Sequence, residues 1–112
     1  MTLPMDGTWQ ILADGWKGIL TIPTIDDSGN LGGDAKVFDQ PIFGFWDEAS
    51  RKLTFTRMGA DPTTAQIYTG YLMAGQHLTG PTLAGFFEAF AGAGGSARHN
   101  VFGWSAVFEP RR

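Results

Sequence analysis

The sequence predicts an all-β fold, an eight-stranded antiparallel up-and-down β-barrel, and three observations carry the prediction. Sixteen Gly and six Pro cut 112 residues at short intervals, and the stretches between them are rich in β-branched and aromatic residues, which suit a pleated, half-buried backbone. Helical periodicity is nearly absent. The joins between stretches are mostly short and rich in turn-forming residues, which fits antiparallel neighbours, since parallel strands need a crossover of about a dozen residues or more. Eight such strands can close into a barrel whose interior is packed with side chains or holds one small ligand, and closure removes the aggregation-prone edges of an open sheet.

Taken in order, the first strand is expected over Gly7–Ala13 and turns at Ala13-Asp14-Gly15 into the second, Trp16–Ile22. Asp26-Asp27-Ser28-Gly29-Asn30 then leads to the third, Leu31–Phe38, with the fourth over Pro41–Asp47. Asp47-Glu48-Ala49-Ser50-Arg51 returns the chain to the fifth, Lys52–Met58, and Gly59-Ala60-Asp61-Pro62 to the sixth, Thr64–Ala74. Ala74-Gly75-Gln76 precedes the seventh, Leu78–Phe90, and the low-complexity run Ala91-Gly-Ala-Gly-Gly95-Ser96 reads as a long hairpin loop before the eighth, Asn100–Phe108. No helix follows that run, so it does not read as a phosphate cradle. Gly beside an aromatic recurs irregularly, as in Gly44-Phe45-Trp46 and Gly103-Trp104, which suits tight coiling in a small barrel.

A chain of this length holds one core, so residues 1–112 are expected to form a single domain. The 43% apolar and 17% charged residues can bury a sizeable core, unlike a disordered chain. Eight basic against eleven acidic residues give a net charge of −3 without a clustered basic face, which argues against nucleic acid as a partner. Without Cys there are no disulfides, thiolate metal sites or cysteine nucleophiles. Met1–Asp6 carry neither a basic region nor a long apolar run, so no secretory signal is expected; the reading is a cytoplasmic protein, with export open to a trimmed chain. No apolar stretch approaches the ~18 residues of a membrane-spanning helix, so no membrane partner is expected.

His77 and His99 sit beside expected loops, and no His, Asp or Glu falls at a metal-ligand spacing. The Asp26–Asn30 run lacks the alternating oxygens and terminal Glu of a calcium loop and reads as a turn. No nucleophile elbow or adjacent base is visible, so no catalytic residue, cofactor or metal is assigned and the chain does not read as an enzyme. Arg57 stands apart. It shares a strand face with Leu53 and Phe55, so if those point inward it does too, and an inward guanidinium needs an acidic partner, carbonyl oxygens or an anionic ligand. Gln66 and Tyr68 share a face of the next strand and can converge on it, while Trp9 and Phe55 offer an apolar wall. These five residues form the expected ligand site at the barrel mouth. The alternative is that the polar groups satisfy one another and close the barrel end, with Arg57 stacked on Trp9.

The order Gly7-Thr8-Trp9, Gly29-Asn-Leu31-Gly-Gly33, Ile42-Phe43-Gly44-Phe45-Trp46-Asp47 and Gln66-Ile67-Tyr68-Thr69-Gly70 resembles the first, third, fourth and sixth strands of the avidin and streptavidin family, and covers most of the chain. The resemblance implies an eight-stranded meander barrel. It also implies a biotin site whose polar groups are largely missing. The first-strand Asn and the following Ser fall on Ile11 and Gly15, and the third-strand Tyr and Ser on Ala35 and Val37. The fifth-strand Trp falls on Arg57, the sixth-strand Ser, Thr and Trp on Thr64, Gln66 and Tyr68, and the last-strand Asp near Ser105, while Phe87 stands for a seventh-strand Trp.

The functional expectation is therefore a small barrel binding module that takes a small molecule other than biotin in its mouth. The rivals are a protein-interaction or inhibitor barrel with a filled core, and a small barrel enzyme, which the scatter of acid and base candidates disfavours. Val101 and Val107 alternate with Phe102, Trp104 and Phe108, so the eighth strand is apolar on both faces, and a homo-oligomer, dimer or tetramer, is expected.

Overall fold

A computed structural model describes residues 7–57, 65–73, 81–91 and 98–109. Eight antiparallel strands close into a barrel in chain order: β1 (Gly7–Ala13), β2 (Trp16–Ile22), β3 (Lys36–Val37), β4 (Gln40–Asp47), β5 (Lys52–Arg57), β6 (Gln66–Met73), β7 (Thr82–Ala91) and β8 (Arg98–Glu109). β8 pairs with β1 to complete the ring, from Thr8 opposite Glu109 to Ala13 opposite Trp104. Among the described residues there is no helix, and so none that could cross a membrane.

Alternation builds the core. Trp9, Ile11 and Ala13 on β1, Leu53 and Phe55 on β5, and Trp104 and Ala106 on β8 point inward and are buried, as are Leu20, Ile22, Val37, Ile42, Tyr68, Leu83 and Phe87. The intervening positions point out, which leaves Phe43, Phe45, Phe86 and Val101 exposed. Cross-strand register sets the inward residues in rungs: Leu53, Gly70, Gly85 and Trp104 form one, and Phe55, Tyr68, Phe87 and Phe102 the next.

The first two strands run as the sequence predicts. The third does not: instead of Leu31–Phe38 it is the two residues Lys36–Val37. Ahead of it Asp26 shapes a turn, its carboxylate accepting the Ser28 and Asn30 N–H groups at 2.9 Å each and the Asn30 amide at 3.2 Å. Gly29 sits there at φ 92°. Leu31 makes only an isolated bridge to Ile25, and Asn30 one to Phe45. The chain then turns again, the Ala35 N–H donating to the Gly32 carbonyl at 3.2 Å. Glycine pairs thus favour turning over extension here. Among the other strands only the ends differ, by one or two residues where those ends are described. Expected positions at 58–64, 74–80 and 92–97, including His77, the loop Gly59–Pro62 and most of the glycine-rich run, lie outside the described residues.

Candidate functional site

An open cavity of about 410 Å³ occupies the barrel end that carries the β1–β2 turn, and is lined by Ala13, Asp14, Trp16, Phe38, Arg57, Gln66, Tyr68, Phe87 and Phe102. One side of it is polar. Arg57 ends β5 on the inward face set by Leu53 and Phe55, and its Nε–H donates to Gln40 Oε1 at 2.6 Å while Nη1 donates to Gln66 Oε1 at 3.1 Å. The Tyr68 hydroxyl donates to the same Gln66 oxygen at 2.7 Å. Two donors on one oxygen fix the orientation of the Gln66 amide. The guanidinium carbon lies 4.9 Å from the centre of the Phe38 ring, a cation–π arrangement.

Phe38 reaches this position because the chain reverses at Phe38 and Asp39, at φ 50° and 62°, and because Gly18 has no side chain: its missing Cβ would overlap the Phe38 ring. Glycine on β2, ring from the reversal and guanidinium from β5 are thus layered one upon another.

The other side is aromatic. Phe55 stacks on Tyr68 with centroids 4.6 Å apart and planes 8° from parallel, Tyr68 on Phe87 at 4.7 Å and 18°, and Phe87 on Phe102 at 5.1 Å and 28°. Each ring stands opposite the next across a strand pair, the placement in which side chains interact most strongly. Trp104 closes the barrel beneath the stack, edge-on to Phe55 and Tyr68 at 5.9 and 5.7 Å.

Of the residues expected at the site, Arg57, Gln66 and Tyr68 come together as the strand parity predicts. Phe55 supports the site from behind Tyr68 without lining the cavity. Trp9 lies elsewhere, fully buried and edge-on to Phe108 at 5.1 Å. The expected stacking of Arg57 on Trp9 is replaced by stacking on Phe38, because register puts Arg57 opposite Ile42 and Gln66 but Trp9 opposite Leu20 and Phe108. Phe38, Gln40, Phe102, Asp14 and Trp16 were not expected there. Phe102 was findable, since it shares the inward parity of Trp104; the left-handed backbone of Phe38 leaves no mark in the sequence.

Burial holds the Tyr68 hydroxyl above its ordinary value of about 10, against a partial opposing pull from the Arg57 hydrogen bond and charge. Tyr68 is therefore a neutral donor at physiological pH. No carboxylate forms an ion pair with Arg57 among the described residues; its neighbours are neutral amides, a phenol and a ring. Nor do the described residues hold a group of three His, Asp or Glu able to share a metal ion. No family model matches the chain, and neither a curated protein nor a solved structure does.

Proposed function

We propose that the protein is a small binding barrel that holds a small anionic or carbonyl-bearing molecule in the mouth beside Arg57. The observation that carries this reading is the guanidinium itself. It lies half-buried at the wall of an open cavity, held by neutral partners that fix its orientation without cancelling its charge. An anion entering the cavity would gain a charge-assisted, forked contact in a partly desolvated site. The walls are otherwise apolar rings, as in many small-molecule sites. Binding is favoured over catalysis because the described residues that line the cavity bring together no nucleophile and base.

The barrel is of the kind that the avidin resemblance implies, and we propose that it does not take biotin. Ile11, Ala35 and Val37 stand where that resemblance expects hydrogen-bonding groups, and all three are buried in the apolar core. Buried positions without donors and acceptors cannot discriminate a polar ligand.

A thermal-shift titration with benzoate, 2-naphthoate and acetate, run on the wild type and on Arg57→Leu, tests the reading. The expected result is a wild-type shift with at least one acid that the folded variant loses. If no acid shifts the wild type and Arg57→Leu merely melts lower, the polar cluster is a structural plug and the reading is wrong.

A second copy of the chain is the proposed partner. Phe43 (62% exposed), Phe86 (64%) and Val101 (55%) project from β4, β7 and β8, a density of exposed apolar side chains that marks an interface.

A further inference from the structure

Among the described residues the aromatic stack is open at one end. Its rungs climb from β5 to β8, and the next strand round the barrel is β1, whose last paired residue is Ala13, opposite Trp104. One rung further on, where Phe102 stands, β1 has already turned: Asp14 donates its N–H to the Gly103 carbonyl at 3.1 Å, and Gly15 follows at φ 84° with nothing within 4 Å of where its Cβ would be. Phe102 therefore has a ring on one face and no side chain of β1 on the other. Trp16, 74% exposed, leads away from the turn and lines the same cavity.

Resting on the reading of the mouth as an anion-binding site, we infer that the ligand is a flat aromatic monocarboxylic acid. Its ring lies on the free face of Phe102 under Trp16, as a fifth member of the stack, with its carboxylate on Arg57. A flat ring suits the slot because Phe102 continues a series of near-parallel rings, and offset stacking rewards planarity where a saturated ring gains only burial. The cavity, at about 410 Å³, is at the small end for ligand sites and suits one or two fused rings. Asp14 on the same wall repels a second anionic group at the far end of the molecule, which limits the ligand to one acid.

Calorimetric titration of the full chain separates this inference from the reading beneath it. The probes are 2-naphthoate, its decahydro counterpart, and naphthalene-2,6-dicarboxylate. We expect 2-naphthoate to bind roughly fivefold or more tightly than the decahydro acid, the size of effect that one or two aromatic contacts supply, and the dicarboxylate to bind more weakly than 2-naphthoate. Trp16→Leu, a change at an exposed side chain, is expected to weaken 2-naphthoate more than the decahydro acid and so narrow the gap between them. Equal affinities for the flat and saturated acids, both lost in Arg57→Leu, would overturn the aromatic slot and leave the anion site standing. A dicarboxylate that binds best would overturn the role of Asp14, and failure of all three probes would overturn both levels.

Discussion

Trp104 fills the room that Gly70 leaves, while Gly85 lets the backbones of β6 and β7 approach closely. A Cβ on Gly70 would overlap the Trp104 Cζ2 and one on Gly85 would overlap the Thr69 carbonyl, while the indole N–H is shared between the Thr69 and Phe86 carbonyls at 3.2 and 3.0 Å. The ring can neither tilt away nor move down without losing those bonds, so Gly70→Ala is expected to destabilise the barrel by about 1–3 kcal/mol, the usual cost of overpacking, read from urea unfolding. Tyr68 gives a pH dependence of definite sign. Its hydroxyl pKa is raised by burial, so the stabilisation is fully present below the unfolded value of 10.0 and is lost as pH rises through the folded value. Unfolding at pH 8 and above pH 10 is expected to show an alkaline loss in the wild type that Tyr68→Phe lacks; equal losses would mean that the hydroxyl is not what burial protects. At this scale the site was half legible. Arg57, Gln66 and Tyr68 follow from parity alone, whereas Phe38 arrives through a backbone reversal that no residue type announces.

At the scale of elements, the β1–β2 hairpin was fully legible because Asp14-Gly15 supplies the two positive-φ residues that a tight hairpin turn needs. The third strand was not. Ala35, Val37 and Leu31 alternate like a strand, but the chain turns at Gly29 and again between Gly32 and Ala35, so Leu31 meets β4 only through its N–H on the Gly44 carbonyl and the ladder shrinks to two residues. β3 consequently joins β2 through two residue pairs and β4 through two, against seven between β1 and β2. Amide exchange is therefore expected to be fastest, among the strands, at Lys36 and Val37, since short ladders open at low cost. The loop before β3 has its own pH response. Asp26 is held below its ordinary 3.8, chiefly by the Asn30 N–H, so its ordering effect is present above that value and disappears as pH falls through the folded one. Asp26→Ala should speed exchange at Ser28 and Asn30 near pH 7 and make little difference in strong acid, where the wild-type carboxyl is also protonated.

For the whole molecule, the outward rows decide how many chains act together. Phe43, Phe45, Phe86 and Val101 lie on two neighbouring rungs that run from β4 to β8 with Thr54, Thr56, Ile67, Thr69 and Glu88 between them, so the exposed apolar side chains gather on one side of the barrel among polar ones. Light scattering at micromolar concentration should give two or four times 12.1 kDa, and Phe86→Lys should return the mass to that of one chain. A wild-type mass of 12.1 kDa would dismiss the interface. The pairing of Thr8 with Glu109 also bears on how the protein is made. Strand β1 leaves the ribosome first, yet its second neighbour emerges only about a hundred residues later, and at 5–20 residues per second that is a wait of roughly 5–20 seconds. Until then Trp9, Ile11 and the apolar strands after them hang on an unclosed sheet with two open edges. The nascent chain, rather than the finished barrel, is thus the form most in need of a chaperone's shelter, and a stop before Trp104 would leave a product with none of the residue pairs that close β8 on β1.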